Sequence, residues 1–189
     1  MVKKAPSAPF SFFALQSSAV VTSKKLLVHT NMQKPPKIAE SVLVLIHTLE
    51  LDVLIIARAD HKGFWQSLTG SKDRIDEPLN ETAAREVAEE TGIVIGGPLV
   101  PEHALLDWHH RIEYEIYPQW RHRYAEGVMH NTEHQFSLLV PHCLEVTLAP
   151  REHTAHLWLS FREAANRYFS WSNREAILQL PERLAAHSR

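Results

Sequence analysis

Three glutamates with helical spacing are the residues of this sequence best suited to chemistry. Glu86, Glu89 and Glu90 occupy positions i, i+3 and i+4 of the stretch AAREVAEETG, so a helix would project their carboxylates in nearly one direction. Like charges at these spacings destabilise a helix slightly, and either solvent or a bound cation must screen them. Carboxylate oxygens suit Mg²⁺, which proteins usually hold with a few carboxylates together with substrate phosphates. The spacing therefore predicts a divalent metal site, with a solvated acidic face as the alternative.

The elements that must position these glutamates begin with two buried strands. Residues 41–48 and 52–58 are rich in β-branched residues and leucine, and a tight connection at 49–51 separates them. Residues 61–76 are expected to form a loop with Gly63 and Gly70 as hinges. A helix is expected from Pro78, with Asp76 as a candidate cap and Gly92 as its end. Its apolar stripe consists of Leu79, Ala83 and Val87.

Further strands and two helices are predicted in the second half of the chain. Residues 111–120 alternate, with Ile112, Tyr114 and Ile116 on one side and Glu113, Glu115 and Tyr117 on the other. Residues 131–140 and 154–160 are predicted as strands. Two closing helices have capping-box spacings, Ser160 with Glu163 and Ser172 with Glu175. This order of elements indicates an α+β or three-layer sandwich fold.

The composition excludes several classes of function. The chain has 189 residues, 44% of them hydrophobic, and a formal net charge of −2, so no basic field favours nucleic-acid or membrane binding. Its single cysteine, Cys143, excludes an intrachain disulfide and is compatible with the cytoplasm, which is the expected location. The 13 histidines include no HExxH motif, and no pair of cysteines has the spacing of a zinc site.

The first 36 residues are expected to be a poorly ordered extension that precedes a domain at residues 37–189. Two lysines followed by a short apolar run faintly resemble a secretory signal, but Pro9 and several polar residues interrupt the run. No segment approaches the roughly 20 apolar residues that a membrane span requires. Met32 is a candidate for the true start, whereas a mature start near residue 24 would favour export.

The stretch GSKDRIDEPLNETAAREVAEETGI resembles the Nudix box, G-x5-E-x7-REU-x-EE-x-G-U with U aliphatic. The match is complete from Glu77 to Ile93, but six residues instead of five separate Gly70 from Glu77. The resemblance implies the Nudix α/β/α sandwich with a central mixed sheet, and hydrolysis of a diphosphate linked to another moiety. It also implies Mg²⁺ or Mn²⁺ as cofactor. In this frame Arg85 is a counter-charge that holds Glu77 and the loop in place.

Segments outside the box narrow the resemblance to the bacterial dihydroneopterin triphosphate pyrophosphatases of folate biosynthesis. They are residues 64–70, 113–128, 131–136, 152–159 and 171–177. The implied reaction converts dihydroneopterin triphosphate, a small-molecule triphosphate, to the monophosphate and pyrophosphate. A MutT-type pyrophosphatase acting on dATP or an oxidised nucleotide is the nearest alternative. The other is a non-catalytic Nudix module that binds a nucleotide, against which the intact REVAEE argues.

The resemblance also implies roles for individual residues. Glu86, Glu90 and the distant Glu152 are expected to bind the metal. Glu89 and Glu86 are the first candidates for the catalytic base, with binding of a second Mg²⁺ as the alternative role of Glu89, and Glu152 stays open as a base. The residues matching substrate positions are Lys37, Arg58, Thr69, Tyr114, Glu115, Ile116, Tyr117 and His153.

Some of these positions have structural alternatives. The tyrosines could equally serve half-buried strand packing, and the segment 121–124 could be a substrate-binding or a purely structural basic hairpin. Trp65, Trp158 and Trp171 are assigned to the core or to helix docking. The oligomeric state is left open.

Overall fold

A computed structural model of the chain describes residues 35–187. These residues form one compact unit. The expectations for the extension at 1–36 and for a start at Met32 fall almost wholly outside the described residues and stay predictions. Within residues 35–187 no helix is both long enough and apolar enough to cross a membrane.

A mixed sheet of seven strands forms the centre of the fold. The strands are β1 Glu40–His47, β2 Asp52–Arg58, β3 Trp65–Gln66, β4 Leu68–Ser71, β5 Leu105–Glu115, β6 His130–Leu139 and β7 His153–Ser160. In the order β3-β2-β1-β6-β5, neighbouring strands are hydrogen-bonded, while β4 pairs with β1 and β7 pairs with β2. The β1–β6 pair is parallel and the other pairs are antiparallel.

Helices cover both faces of the sheet, which explains why its central strands are hydrophobic throughout. The helices are α1 Leu79–Thr91, α2 Phe161–Arg167 and α3 Trp171–His187. Alternate residues of β1 point to opposite faces, so Val42 and Val44 belong to the core under α1 while Leu43 and Leu45 belong to the core under α2 and α3. The predicted three-layer α+β sandwich with a mixed sheet is confirmed.

The helix that carries the three glutamates begins and ends close to its predicted limits. Ala83 and Val87 are fully buried and Leu79 packs against the same core, so the predicted stripe is confirmed. Gly92 ends α1 in the left-handed conformation with φ 74°, as expected for a glycine at this position. The prediction of Asp76 as the cap was wrong, because Pro78 occupies that position without a side-chain cap and Asp76 lies exposed.

The segment at residues 61–76 is not a loop throughout. It contains β3 and β4, and Gly70 lies inside β4 opposite Val42 of β1. Gly63 does form a turn, with φ 86°. Strands of two and four residues interrupted by glycine and serine carry too little periodicity to be distinguished from a loop.

The second half of the chain departs from prediction at four other points. β5 begins at Leu105, six residues before the predicted start, and the segment after it forms a 3-10 helix at Pro118–Arg123 instead of a basic hairpin. Ser160 caps α2 and donates a hydrogen bond to Glu163 at 2.6 Å, whereas Ser172 lies inside α3 and caps nothing. Trp65 and Trp158 pack against the cores as assigned, but the Trp171 assignment was wrong because this residue is 54% exposed.

Candidate active site

The three glutamates of α1 do not share one environment. Glu90 is buried, Glu86 keeps 13% of its side chain exposed, and Glu89 keeps 59%. Glu86 and Glu90 lie one turn apart on the side of α1 that faces β4 and the sheet, while Glu89 turns toward solvent. Two of the three carboxylates are therefore held together inside the protein.

Gly70 allows Glu86 to lie against the sheet. A Cβ atom at position 70 would lie 1.8 Å from Cδ of Glu86, which no real pair of atoms tolerates. Because β4 contributes a residue without a side chain at this point, the Glu86 carboxyl group occupies the space that any other residue would fill. Gly70 thus defines the position of Glu86.

Arg85 holds the loop before α1 as the sequence predicts. Its Nε donates to Glu77 Oε1 at 2.9 Å, and its Nη2 donates both to Glu77 Oε2 at 3.3 Å and to the backbone oxygen of Ser71 at 3.0 Å. The backbone nitrogen of Asp73 also donates to Glu77 Oε2, at 2.7 Å. The extra residue between Gly70 and Glu77 is therefore absorbed within the loop, and Glu77 keeps its partner.

Glu152 reaches the glutamates of α1 through two backbone connections. The segment before it is hydrogen-bonded to the end of α1, with Thr147 donating to Thr91 and Ala149 to Glu90. The backbone oxygen of Glu152 in turn accepts a hydrogen bond of 2.8 Å from the backbone nitrogen of Ala59, just beyond β2. These contacts place the residue next to Glu90 although the two are distant in sequence.

Glu90, Glu152 and His153 form a group whose ligand atoms all lie within 4.8 Å of one another. Nε2 of His153 lies 3.0 Å from Oε2 of Glu90, yet neither atom makes a hydrogen bond with acceptable angles to any residue in the range 35–187. A buried carboxylate oxygen without a hydrogen bond is costly unless a cation or a proton satisfies it. The donor set and the unsatisfied oxygen of Glu90 therefore fit a divalent metal ion.

Electrostatics support the same interpretation for Glu86 and Glu90. Burial, together with the charges of Glu90 and Glu89, raises the pKa of Glu86 to about 7, against the opposing effect of Arg85. Burial also raises the pKa of Glu90, although His153 opposes the shift. Carboxylates held together at this cost are a common feature of functional sites.

Two cationic side chains, those of Lys37 and Arg58, were predicted to contact the substrate, and their surroundings differ. Lys37 is exposed, and its charge interacts with those of Glu86, Glu90 and Glu152. Arg58 pairs with Asp60 through two hydrogen bonds of 2.8 and 2.5 Å and lies 5.1 Å from the ring centre of Trp120.

A short polar connection joins Arg58 to another predicted substrate residue. Arg58 donates to Gln66 Oε1 at 3.3 Å, and Gln66 donates to Thr69 Oγ1 at 3.4 Å. The structure therefore brings Arg58 and Thr69 to one polar patch.

The segment 114–117 combines buried and exposed groups, as its alternation predicts. The Tyr114 hydroxyl accepts a hydrogen bond from Asn131 at 3.1 Å, and burial raises its pKa. Ile116 is buried, with its backbone nitrogen and oxygen already paired to Met129 and Arg121. Glu115 is exposed and pairs with Arg121 at 2.5 Å, so this arginine of the segment 121–124 has a structural partner.

Two groups of residues near these positions were not singled out from the sequence. The first is an aromatic cluster in which Tyr117 contacts Trp120 and Phe169, and Phe64 stacks on Phe169 at 3.8 Å. The second is the pair Asn131 and Glu133, buried on β6. The sequence carries no periodic signal for this pair, because residues 130–135 are all polar and no alternation with apolar residues marks the buried side.

Comparison with known proteins agrees with this geometry. The Nudix domain family matches residues 37–180. Dihydroneopterin triphosphate diphosphatase of Escherichia coli is 41% identical over 140 residues, which are 74% of this chain and 89% of that protein. The protein of the same name from Haemophilus influenzae is 37% identical over 139 residues, 73% of this chain and 84% of that protein.

Solved structures show the same relationship. The Escherichia coli dihydroneopterin triphosphate pyrophosphohydrolase superposes with a TM-score of 0.70 at 40% identity, covering 77% of this chain and 97% of that one. A MutT protein from Methanosarcina mazei, with a TM-score of 0.52 at 20% identity over 79% of this chain and 96% of that one, shares the fold alone. With the box glutamates assembled on α1 and the family match extending over most of its length, this chain belongs to the Nudix family of hydrolases.

Proposed function

We propose that the chain hydrolyses dihydroneopterin triphosphate to dihydroneopterin monophosphate and pyrophosphate, with bound Mg²⁺ or Mn²⁺. The observation that carries the choice of substrate is the 41% identity to an enzyme of that name over 89% of its length. Nudix hydrolases generally need a divalent metal, and the group formed by Glu90, Glu152 and His153 supplies suitable ligands. The cytoplasmic location stays a prediction.

In this proposal Glu86, Glu90 and Glu152 hold the metal. When bound, the ion offsets the negative charge of the triphosphate and activates water. The positive charge of Lys37 lies near the carboxylates and is available to the phosphates of the substrate. Arg58 and Thr69, which are connected through Gln66, contact the substrate from the polar patch. His153 and the segment 114–117 stay predicted substrate contacts. Holding the reacting groups in place accounts for much of the rate in such a reaction.

The chemical step requires a base for the attacking water. A glutamate accepts the water proton, the water oxygen bonds to phosphorus, and the bond from that phosphorus to the bridging oxygen breaks to release pyrophosphate. Glu86 is largely buried one turn from Glu90, beside the proposed metal. Glu89 lies exposed beside Arg85, where solvent water has direct access. Both therefore stay candidates, and Glu152 remains open as well.

One assay distinguishes this function from its alternatives. The full chain is incubated with Mg²⁺ and dihydroneopterin triphosphate, and separately with a panel of nucleoside triphosphates, and released pyrophosphate is measured. The highest kcat/KM for dihydroneopterin triphosphate is the expected result. A preference for dATP would instead indicate a MutT-type pyrophosphatase, and no release from any substrate would indicate a nucleotide-binding module.

A further inference from the structure

A carboxyl group that the hydrolytic step does not use is buried on β6. Glu133 is 3% exposed and lies in register with Ser41 of β1 and Ile112 of β5. Its strand neighbours at alternate positions, Asn131 and Gln135, are also buried and polar. By the two-residue repeat of a strand, these three side chains point to the same face of the sheet.

Contacts identify that face as the one beneath α3. Burial raises the pKa of Glu133 to about 7, and the hydroxyl of Ser172, in the first turn of α3, partly offsets this rise. Ser172 also lines a cavity of about 280 Å³ together with Ile112, Gln135 and Trp171. Glu133 thus lies beneath the start of α3, next to a cavity with the exposed Trp171 at its edge.

Two acceptors on this face have no hydrogen-bond partner. Oε1 of Glu133 and Oδ1 of Asn131 are both buried, and neither is paired with any group in residues 35–187. The Asn131 amide nitrogen already donates to Ser41 at 2.7 Å and to Tyr114 at 3.1 Å, so its oxygen is the atom left over. Because buried acceptors without donors are costly, their presence side by side indicates a ligand that brings N–H groups.

The two acceptors adjoin residues that are predicted to contact the substrate. Tyr114 hydrogen-bonds to Asn131, and the charge of Glu133 acts on the Tyr114 hydroxyl. Ser41 lies opposite Ser71 of β4, two residues from Thr69 on the same strand face. Glu133 therefore belongs to the side of the site that receives the non-phosphate part of a substrate.

We propose that Glu133 is a specificity-determining residue whose carboxylate binds the 2-amino-4-oxopyrimidine edge of a pterin. The 2-amino group and the neighbouring ring N–H are two parallel donors, which match the two oxygens of one carboxylate. Adenine lacks this pair of donors. The inference rests on the proposed function, because it names the part of dihydroneopterin triphosphate that this face of the site binds.

Paired ligands and a matched variant test the proposal in the full chain. The ligands are neopterin and the corresponding lumazine, in which oxygen replaces the 2-amino group, and their dissociation constants are measured by calorimetry. The variant is Glu133→Gln, whose amide can donate to the lumazine oxygen while accepting from the ring N–H. The control is Glu113→Gln, which removes an exposed carboxylate from the adjacent strand β5. Circular dichroism establishes that each variant is folded.

The wild-type protein and the control are expected to prefer the pterin by about tenfold or more, as hydrogen bonds to a charged group allow. Glu133→Gln is expected to lose or reverse this preference and to raise the KM for dihydroneopterin triphosphate more than it changes kcat. If the role of Glu133 were purely structural, Glu133→Gln would weaken the binding of both ligands equally. An unchanged ratio of the two dissociation constants in Glu133→Gln would therefore overturn the inference. Pyrophosphate release by the wild-type protein, measured alongside, is the separate test of the function. If that release is absent, the function and this inference fall together.

Discussion

At the residue scale, the Glu90 carboxylate is placed where burial opposes its charge. Replacing it with the neutral isostere, Glu90→Gln, is expected to lower kcat by about a hundredfold or more, because a ligand that contributes charge to a metal site affects the barrier by several kcal/mol. Without metal, the Glu90→Gln variant should have a thermal midpoint equal to or above that of the wild-type protein, because burial raises the pKa of Glu90 and its charged form is destabilising. Turnover assays and thermal unfolding without metal measure the two effects.

The matched control for this variant is Glu81→Gln, which removes an exposed carboxylate from the first turn of the same helix. It should leave turnover unchanged. Normal turnover in Glu90→Gln would exclude Glu90 from the metal site, and loss of the folded state would mean that its charge is structural.

Glu77 has the opposite electrostatics. Hydrogen bonds from Arg85, and one from the backbone of Asp73, lower its pKa from 4.5 to about 2 against the effect of burial. The ion pair therefore contributes its full stability above pH 4.5, and this contribution is lost as pH falls from 4.5 through about 2. Glu77→Gln should lower the free energy of unfolding at pH 7 by about 2 kcal/mol.

Denaturant unfolding at a series of pH values tests this prediction for Glu77. The difference between the wild-type protein and Glu77→Gln should shrink below pH 4.5, the ordinary pKa of the group. Asp76→Asn is the control, since the adjacent Asp76 side chain is 87% exposed and should matter little. A difference that stays constant down to pH 2.5 would contradict the assigned pairing.

Individual roles could be predicted from the sequence only where residue type and spacing carry the chemistry. The glutamates of α1 and the partner of Arg85 follow from helical periodicity and from the box pattern, and the Arg85–Glu77 contact is confirmed at 2.9 Å. The proximity of Glu152 to Glu90 depends on backbone contacts at the end of α1, and helical spacing carries no information about such contacts. No local sequence pattern marks Glu133, because the role proposed for it depends on its burial beneath α3.

At the element scale, the close contact of β4 with α1 fixes the position of Glu86. Gly70→Ala would place a methyl group 1.8 Å from Cδ of Glu86 and force that side chain out of its position. The displaced group is the flexible end of a side chain, so we expect little loss of stability. Kinetic assays should show a loss of activity of about a hundredfold, which is typical when a catalytic group moves by 1 Å.

The control for Gly70→Ala tests whether strain alone could produce this result. Gly127→Ala has open space around the new methyl group but a positive φ of 82°, so it should lose about 1 kcal/mol of stability and keep its activity. Gly70→Ala and Glu86→Gln should also not add when combined, because both act through one carboxylate. Additive losses of activity would show that Gly70 acts on another group.

Elements with a strong period were predicted well, and short elements were not. β1, β2 and α1 follow hydrophobic patterns of seven residues or more, and each lies within two residues of its predicted limits. β4 forms by pairing with β1, and β3 forms by pairing with β2. This pairing is a tertiary effect that the local sequence does not contain. The cap predicted at Ser172 failed for a related reason, since α3 begins earlier and buries this serine against the sheet.

At the scale of the whole molecule, every core residue within the described range 35–187 lies after Lys37. The core under α1 and the core under α2 and α3 begin with Val42 and Leu43 of β1, and the residues proposed for the site begin with Lys37. We propose that residues 37–189 form the Nudix domain. A single sheet separates the two cores, so the whole domain should unfold in one transition.

Shortening the chain tests this proposal. A protein consisting of residues 32–189 should keep its thermal midpoint to within about 2 °C, which corresponds to less than about 1 kcal/mol for a domain of this size. Its kcat/KM for dihydroneopterin triphosphate should equal that of the full chain, because every proposed site residue is retained. Calorimetry and pyrophosphate release measure the two quantities. A large drop in the midpoint would mean that the first 31 residues stabilise the domain, and a loss of activity at an unchanged midpoint would mean that they contribute to the site.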